Sequence, residues 1–331
     1  MTFDGRDDYT VMFGGAVGEP GSDSNQTWIF EGNRWFLLQT ALSPPATNSA
    51  MLTYDAADGY VVLYEGIVPH GGPQTWTYAA GVWTNRTGPG PDFYWPFSAM
   101  TFDYRDGYVV AAGPTFTTQG HGWTWKFSGG SWTNISSTAG PAPATGVIAW
   151  DSTGNSSVMV DENSPPNGPC NDTWIFLGGR WNHTSVNGPC LFGGFQRFLG
   201  MVDDPEEGGP VLFGALCLSG YVVCSNAWLY RQDSWAMVNV SSLPSVYEFD
   251  SLAYDPLDHQ VVLFGGEASG SPPSRSSETW VFQNGNWTLV PMPQASTWSF
   301  QVILEVSVIA VAGAVLAAVL LVRRRRRRRE Q

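Results

Sequence analysis

Apolar and polar positions alternate in short runs along most of the chain, and the runs follow a fixed order. Positions 51–55 read as one strand and 60–64 as a second, separated by the turn residues Ala56 to Gly59. A Gly/Pro loop follows, then strands at 75–78 and 82–84 about the turn Ala79 to Gly81. Period-two alternation marks strands, and Gly or Asn in the intervening turns supplies the positive φ that tight hairpins need. This four-strand unit recurs six times. It is counted most easily on tryptophan pairs six residues apart: Trp28/Trp35, Trp76/Trp83, Trp125/Trp132, Trp174/Trp181, Trp228/Trp235 and Trp280/Trp287. The first Trp of each pair follows the previous one by 48, 49, 49, 54 and 52 residues. A period near 50 with four strands per unit predicts a propeller or an array. Each unit is too small to bury its own faces and must stack on its neighbours. The expected fold class is all-β, a six-bladed β-propeller followed by one C-terminal transmembrane helix.

The expected propeller covers residues 1–292, with blades at about 1–42, 43–91, 92–140, 141–190, 191–243 and 244–292. Prolines mark the joints, at Pro44-Pro45, Pro89 to Pro91, Pro141 to Pro143, Pro189 and Pro244; a residue without a backbone donor suits connections rather than central strands. The final unit ends in its own Trp287 strand, so the ring is expected to close by packing rather than by strand exchange. The turn after each first strand is rich in acid, as in Asp55-Ala56-Ala57-Asp58-Gly59 and Asp103-Tyr104-Arg105-Asp106-Gly107. Two Asp three apart fall short of a calcium loop, and Asx-turn chemistry is the expected role.

Residues 293–301 read as a linker, and from Val302 to Val322 the chain is apolar except for Glu305 and Ser307. About 20 such residues span a bilayer. Arg323 to Arg329 follow directly, within a tail at 323–331. Beside a span, such a run predicts a cytoplasmic C-terminus and attracts anionic lipid. Residues 1–300 hold 27 acidic and 9 basic side chains, a net of −18. That body excludes nucleic acid as a partner, because phosphate contacts need clustered Lys and Arg.

Asn-x-Ser/Thr occurs at Asn25, Asn85, Asn134, Asn155, Asn171, Asn182, Asn239 and Asn286, eight of 15 Asn. These are candidate glycosylation sites and agree with a propeller held outside the membrane. No signal peptide precedes the first strand at Thr2, so the natural product is expected to begin upstream, where a seventh blade could also lie. The four cysteines predict disulfides Cys170–Cys190 and Cys217–Cys224, with both members of the second pair in one loop of unit five. Two other pairings exist, and a four-cysteine zinc site competes, although close Cys pairs are lacking.

The units resemble kelch-type repeats: an apolar strand, a Gly-Gly end, an aromatic strand and a Trp hairpin. The best matches are Val261-Val262-Leu263-Phe264-Gly265-Gly266 with Trp280 and Trp287, and Val11-Met12-Phe13-Gly14-Gly15 with Trp28 and Trp35. The other four units lack the double Gly. The layout is also similar to membrane-anchored kelch-like surface proteins of archaea. The resemblance implies a recognition or adhesion module on a glycan, protein or envelope component, without cofactors, metal or catalytic residues; the envelope reading adds self-association. The alternative is an extracellular carbohydrate enzyme, a hydrolase or epimerase, since the family also includes enzymes and the fold does not decide between them. A copper oxidase is disfavoured, because His70, His121, His183 and His259 are each alone in their unit. The loops between second and third strands and between units are the longest, so recognition is expected on that face, including His70, His121 and Tyr221.

Overall fold

The computed structural model describes residues 1–17, 22–66, 72–93, 98–115, 118–143, 145–161, 172–189, 200–217, 222–238, 240, 244, 246–268 and 274–291. Side chains are left out at 118–121, 187, 214–217, 222–226, 246–250, 267–268 and 274. Residues from Met1 to Val290 form one compact unit, and a second begins at Pro291.

The first unit is a six-bladed, all-β propeller. Each blade is an antiparallel meander of four strands in sequence order. The innermost strands are Thr2–Asp4, Met51–Asp55, Ala99–Asp103, Gly146–Asp151, Gly200–Asp204 and Val246–Asp255. Each lies beside the next around the ring, and Val246–Asp255 returns to Thr2–Asp4. The ring therefore closes on six blades without exchanging a strand. A small ladder pairs Ala16–Val17 with Ser22–Asp23 in blade one, and Ser274–Arg275 adds a fifth strand to blade six.

Six apolar cores occupy the six blade interfaces. Val11 and Phe13 of blade one meet Val61, Leu63, Tyr78 and Trp83 of blade two. At the closing interface, Val262 and Val281 of blade six meet Phe30 and Trp35 of blade one. Sheets with two apolar faces read in sequence as continuous apolar runs, and the buried second strands, such as Val61-Val62-Leu63-Tyr64, show this.

The Trp pairs divide the labour between blades. The second Trp packs on the aromatic five residues before it: Phe30–Trp35, Tyr78–Trp83, Phe127–Trp132, Phe176–Trp181, Tyr230–Trp235 and Phe282–Trp287 have centroids 5.0 to 5.3 Å apart. Such tilted pairs add to simple burial. The same indole then crosses to the preceding blade and donates Nε1–H to a threonine there. Trp83 reaches Thr27 (2.8 Å), Trp132 reaches Thr75 (2.8 Å), Trp181 reaches Thr124 (2.9 Å) and Trp235 reaches Thr173 (3.0 Å). Trp35 closes the ring on Thr279 (2.8 Å). Each acceptor immediately precedes the first Trp of its pair. Blade five has Ala227 at that position, and the Trp287 indole N–H is buried with no partner.

Cys217 and Cys224 lie on paired strands rather than in a loop: Cys217 opposes Val222 and Cys224 opposes Ala215. This corrects the expected loop, since the strands run further than the turn residues indicated. Their side chains are not described. Cys170 and Cys190 lie outside the described residues, as do the linker, the segment from Val302 to Val322 and the Arg run. Among the described residues no helix is long and apolar enough to cross a membrane; the one helical turn is Ser136–Ala139.

Candidate functional site

Every innermost strand ends on an aspartate, and these six residues shape one mouth of the central channel. Asp4, Asp55, Asp103, Asp151, Asp204 and Asp255 are buried, each at 3 % exposure or less. In each, Oδ1 accepts the backbone N–H groups two and three residues on. Examples are Ala57 and Asp58 to Asp55 (both 3.1 Å), and Thr153 (3.0 Å) and Gly154 (2.9 Å) to Asp151. The Asx-turn role expected from sequence is what these bonds show. The second oxygens of Asp4, Asp55 and Asp103 are buried without a partner. Burial pushes the Asp4 and Asp204 carboxyls up to about 6, and those of Asp55, Asp103 and Asp255 up as well, against the turn amides that pull the other way.

This has a consequence for stability. A carboxyl whose folded pKa lies above its unfolded value stabilises the fold fully below the unfolded value, and that contribution is lost as pH rises through the folded one. The window here runs from 3.8 to about 6. Burial lowers the Met1 amine to about 5, and that group works in the opposite sense over the same range, so the check is a difference between variants. Going from pH 7.5 to pH 5 is expected to favour the parent over Asp204→Asn by at least about 1 kcal/mol. Calorimetry of both proteins across that range checks it; an identical pH response in parent and Asp204→Asn would contradict the assignment.

In blades two, four and five the residue before the aspartate reaches the preceding blade's turn. Five of the six residues at this position are aromatic: Phe3, Tyr54, Phe102, Trp150 and Tyr254. Tyr54 lies on Gly5 of blade one so closely that a Cβ there would be 3.1 Å from its ring. Trp150 packs on Tyr104 of blade three, centroids 5.5 Å apart, and Tyr104 stands edge-on to Phe102 at 4.8 Å. Trp150 and Phe102 are buried, whereas Tyr104 remains 56 % exposed.

Blade five breaks the pattern with Asp203. Its Oδ1 accepts the Ser152 backbone N–H at 3.4 Å, and the Ser152 hydroxyl also bonds to the carboxylate. Burial raises this carboxyl to about 6, opposed by Ser152 and assisted by the nearby Asp151 and Asp204 charges. Burial, and after it the Asp203 charge, raises the hydroxyl pKa of Tyr104; burial, with the Asp204, Glu206 and Asp203 charges behind it, pushes that of Tyr254 up to about 12. Tyr54 in turn feels Asp4, Tyr104 and Arg6. The mouth thus gathers Tyr54, Tyr104, Trp150, Ser152, Asp203 and Tyr254 from five blades. The exposed Arg6 of blade one turns to the Gly59 carbonyl (3.4 Å). Among the described residues no group of His, Cys, Asp and Glu could hold a metal ion.

The residues singled out from sequence lie elsewhere. His70 and Tyr221 are outside the described residues, and His121 is placed by backbone alone in Thr118–Ser128. The other two histidines are separate: His183 pairs with Asp172 at 3.3 Å and His259 with Glu206 at 2.9 Å, both pairs exposed. Asn171 and Asn239 are outside the described residues, while Asn25, Asn85, Asn134, Asn155, Asn182 and Asn286 are all exposed. In three blades the sequon hydroxyl has a structural use. Thr87 accepts the Thr75 N–H (3.1 Å), Ser136 accepts the Thr124 N–H (2.9 Å), and Thr184 donates to the Thr173 carbonyl (2.9 Å). The repeat therefore accounts for part of the Asn-x-Ser/Thr recurrence.

No family model and no curated protein matches this sequence. Solved structures do resemble it. A triple arginine-to-alanine variant of AofleA from Arthrobotrys oligospora shares 14% identity at a TM-score of 0.53, covering 86% of this chain and 86% of that one. TolB from Acinetobacter baumannii shares 11% at 0.48, covering 84% of this chain and 61% of that one. YjhT shares 12% at 0.46, covering 83% and 96%. At 14% identity the AofleA likeness shows a shared fold.

Proposed function

We propose that this propeller is a non-catalytic recognition module that holds its ligand at the turn-side mouth of the central channel. The observation that supports it is the break in the repeat at Asp203. The other five blades fill that position with an aromatic ring, and blade five places a half-buried carboxylate there whose charge reaches the exposed Tyr104. Packing alone does not call for a carboxylate at a site its own repeat fills with rings, because burying a charge is costly. The arrangement favours binding over glycosidic cleavage. That chemistry uses two carboxylates flanking the bond, and the neighbours of Asp203 are committed: Asp151 and Asp204 hold turn amides through Oδ1.

The kelch resemblance, the sequons and the apolar segment from Val302 to Val322 with its Arg run support a wider setting. In it the propeller is outside the cell, carries glycans and is anchored by a single span, with the tail in the cytoplasm. The face carrying His70, His121 and Tyr221 is the second candidate surface. A glycan and envelope-protein binding screen with the parent chain, Tyr104→Leu and Tyr221→Ala separates the two faces. Ligands lost with Tyr104→Leu and retained with Tyr221→Ala are expected; the reverse pattern would move recognition to the opposite face. Retention of every ligand by both variants would remove both surfaces.

A further inference from the structure

We infer that the turn-side mouth recognises an organic ammonium group, held over the Tyr104 ring and against the Asp203 carboxylate. This rests on the recognition reading above and names the chemistry of its ligand. Aromatic faces attract cations through the ring quadrupole, most strongly where the cation is partly withdrawn from water. Tyr104 offers such a face: it is 56 % exposed, yet propped from behind by Phe102 at 4.8 Å and by Trp150 at 5.5 Å. A ring held on two sides loses little freedom when a ligand settles on it, so less affinity is spent on ordering. The Tyr54 hydroxyl of blade two interacts electrostatically with Tyr104, and that of Tyr254 in blade six with Asp203.

The electrostatics select the sign of the ligand. Asp203 lies within the field of Asp151 and Asp204, and Tyr254 within that of Asp203, Asp204 and Glu206. Cations also stand at this end: Arg6 and Arg105 are exposed in the turns, the Arg231 guanidinium lies against Gly208 of blade five's turn, and His259 pairs with Glu206 at 2.9 Å. Arg6 donates to the Gly59 carbonyl. Asp203 receives its hydrogen bonds from Ser152, a neutral donor, and among the described residues no cation pairs with it. A half-buried carboxylate without a counter-charge is a poor way to hold an anion or an apolar group. It suits a cation, and the phenol hydroxyls around it suit the polar substituents such a ligand carries. Asp7, Asp58 and Asp106 are not part of this set. Asp7 and Asp58 accept backbone N–H groups of the next blade's hairpin, from Ala80 and Gly129 (both 2.8 Å), and Asp106 pairs with Tyr108.

The test uses the whole chain and two probes, choline for a quaternary ammonium and propylammonium for a primary one. The control is the neutral carbon isostere of choline, all at matched ionic strength. Tryptophan fluorescence and ligand-observed NMR read the binding. At least one ammonium probe is expected to bind saturably and the isostere about tenfold more weakly. Asp203→Asn and Tyr104→Leu should each weaken the ammonium probe by about tenfold, while Tyr104→Phe, which keeps the ring, should stay within a few-fold of the parent. Tyr104 is exposed and Asn matches Asp in shape, so no variant should melt below the parent, and Asp203→Asn, which removes a carboxyl raised by burial, should melt at or above it; this excludes unfolding as the cause. Absence of saturable binding by either probe, equal binding of the isostere, or unchanged binding in Tyr104→Leu would each overturn the inference. A screened ligand lost with Tyr104→Leu while both ammonium probes fail would overturn the ammonium assignment and leave recognition at this mouth standing. Ammonium binding with no screened ligand sensitive to Tyr104 would do the opposite.

Discussion

Trp132→Ala is expected to destabilise the propeller by about 3–5 kcal/mol, measured by denaturant unfolding. This indole does three things at the interface between blades two and three. It packs on Phe127 of its own blade at 5.1 Å and edge-on against Tyr64 of blade two at 5.5 Å. It closes over Gly90, where a Cβ would stand 2.9 Å from the ring. It also donates to Thr75 Oγ1 at 2.8 Å. Truncation leaves a cavity between two sheets and an unpaired hydroxyl on Thr75, which is itself buried. Trp132→Phe keeps most of the packing and should cost less, the hydrogen-bond part alone being about 1–2 kcal/mol. Ala227→Thr runs the same comparison in the opposite direction. Five blades already show that a threonine fits at this position, and Trp287 Nε1–H has no partner. Supplying the missing hydroxyl should raise stability by about 1 kcal/mol. A neutral Ala227→Thr together with an innocuous Trp132→Phe would show that the rings act by packing alone.

Much of this architecture was legible in the chain. The W-x6-W spacing fixed six units because the hairpin between strands three and four has the same length in every blade. The acidic turns were legible as Asx turns because Asp followed by three turn residues is a local signal, complete within five positions. The cross-blade clamp was written in the sequence as Thr-Trp, at Thr27-Trp28, Thr75-Trp76, Thr124-Trp125, Thr173-Trp174 and Thr279-Trp280. Its meaning was not legible, because the threonine serves an indole 56 to 62 residues later, or 244 residues earlier at the seam. The channel mouth was hidden for a related reason. Aromatic-Asp dipeptides end five first strands, but a residue two positions from a turn says nothing of which blade it will lean on. Attention to Asp203 comes from comparing units with one another, since a departure from a repeat stands out against five copies that keep it. The loop reading of Cys217 and Cys224 failed on strand length. The ladder continues past Phe213 through a register shift to Cys217 and Val222, and local turn residues do not report such a bulge.

Deleting blade six, from Ser251 to Leu289, should abolish the cooperative melting of the whole propeller rather than remove one repeat's share of stability. In an open array each unit touches only its neighbours, so losing the last unit costs one interface. Here blade six makes two. It buries Val261, Leu263, Phe282 and Trp287 against Val211 and Phe213 of blade five, and Val262 and Val281 against Phe30 of blade one. It also supplies Thr279 to Trp35, Phe264 against the same indole at 5.1 Å, and Gln260 to Asn33 at 3.1 Å. Without it, the apolar faces of blades five and one are left open to water. Five blades could close only if each interface opened from a sixth to a fifth of a turn. Cores at crystal-like density do not deform that far without losing their contacts, and the Trp–Thr hydrogen bonds at 2.8 to 3.0 Å have no slack to follow. The deletion product should therefore melt broadly, bind hydrophobic dye and expose its indoles to quencher. A sharp transition at the parent's temperature would mean that each blade interface is sufficient alone and that closure contributes nothing to the fold.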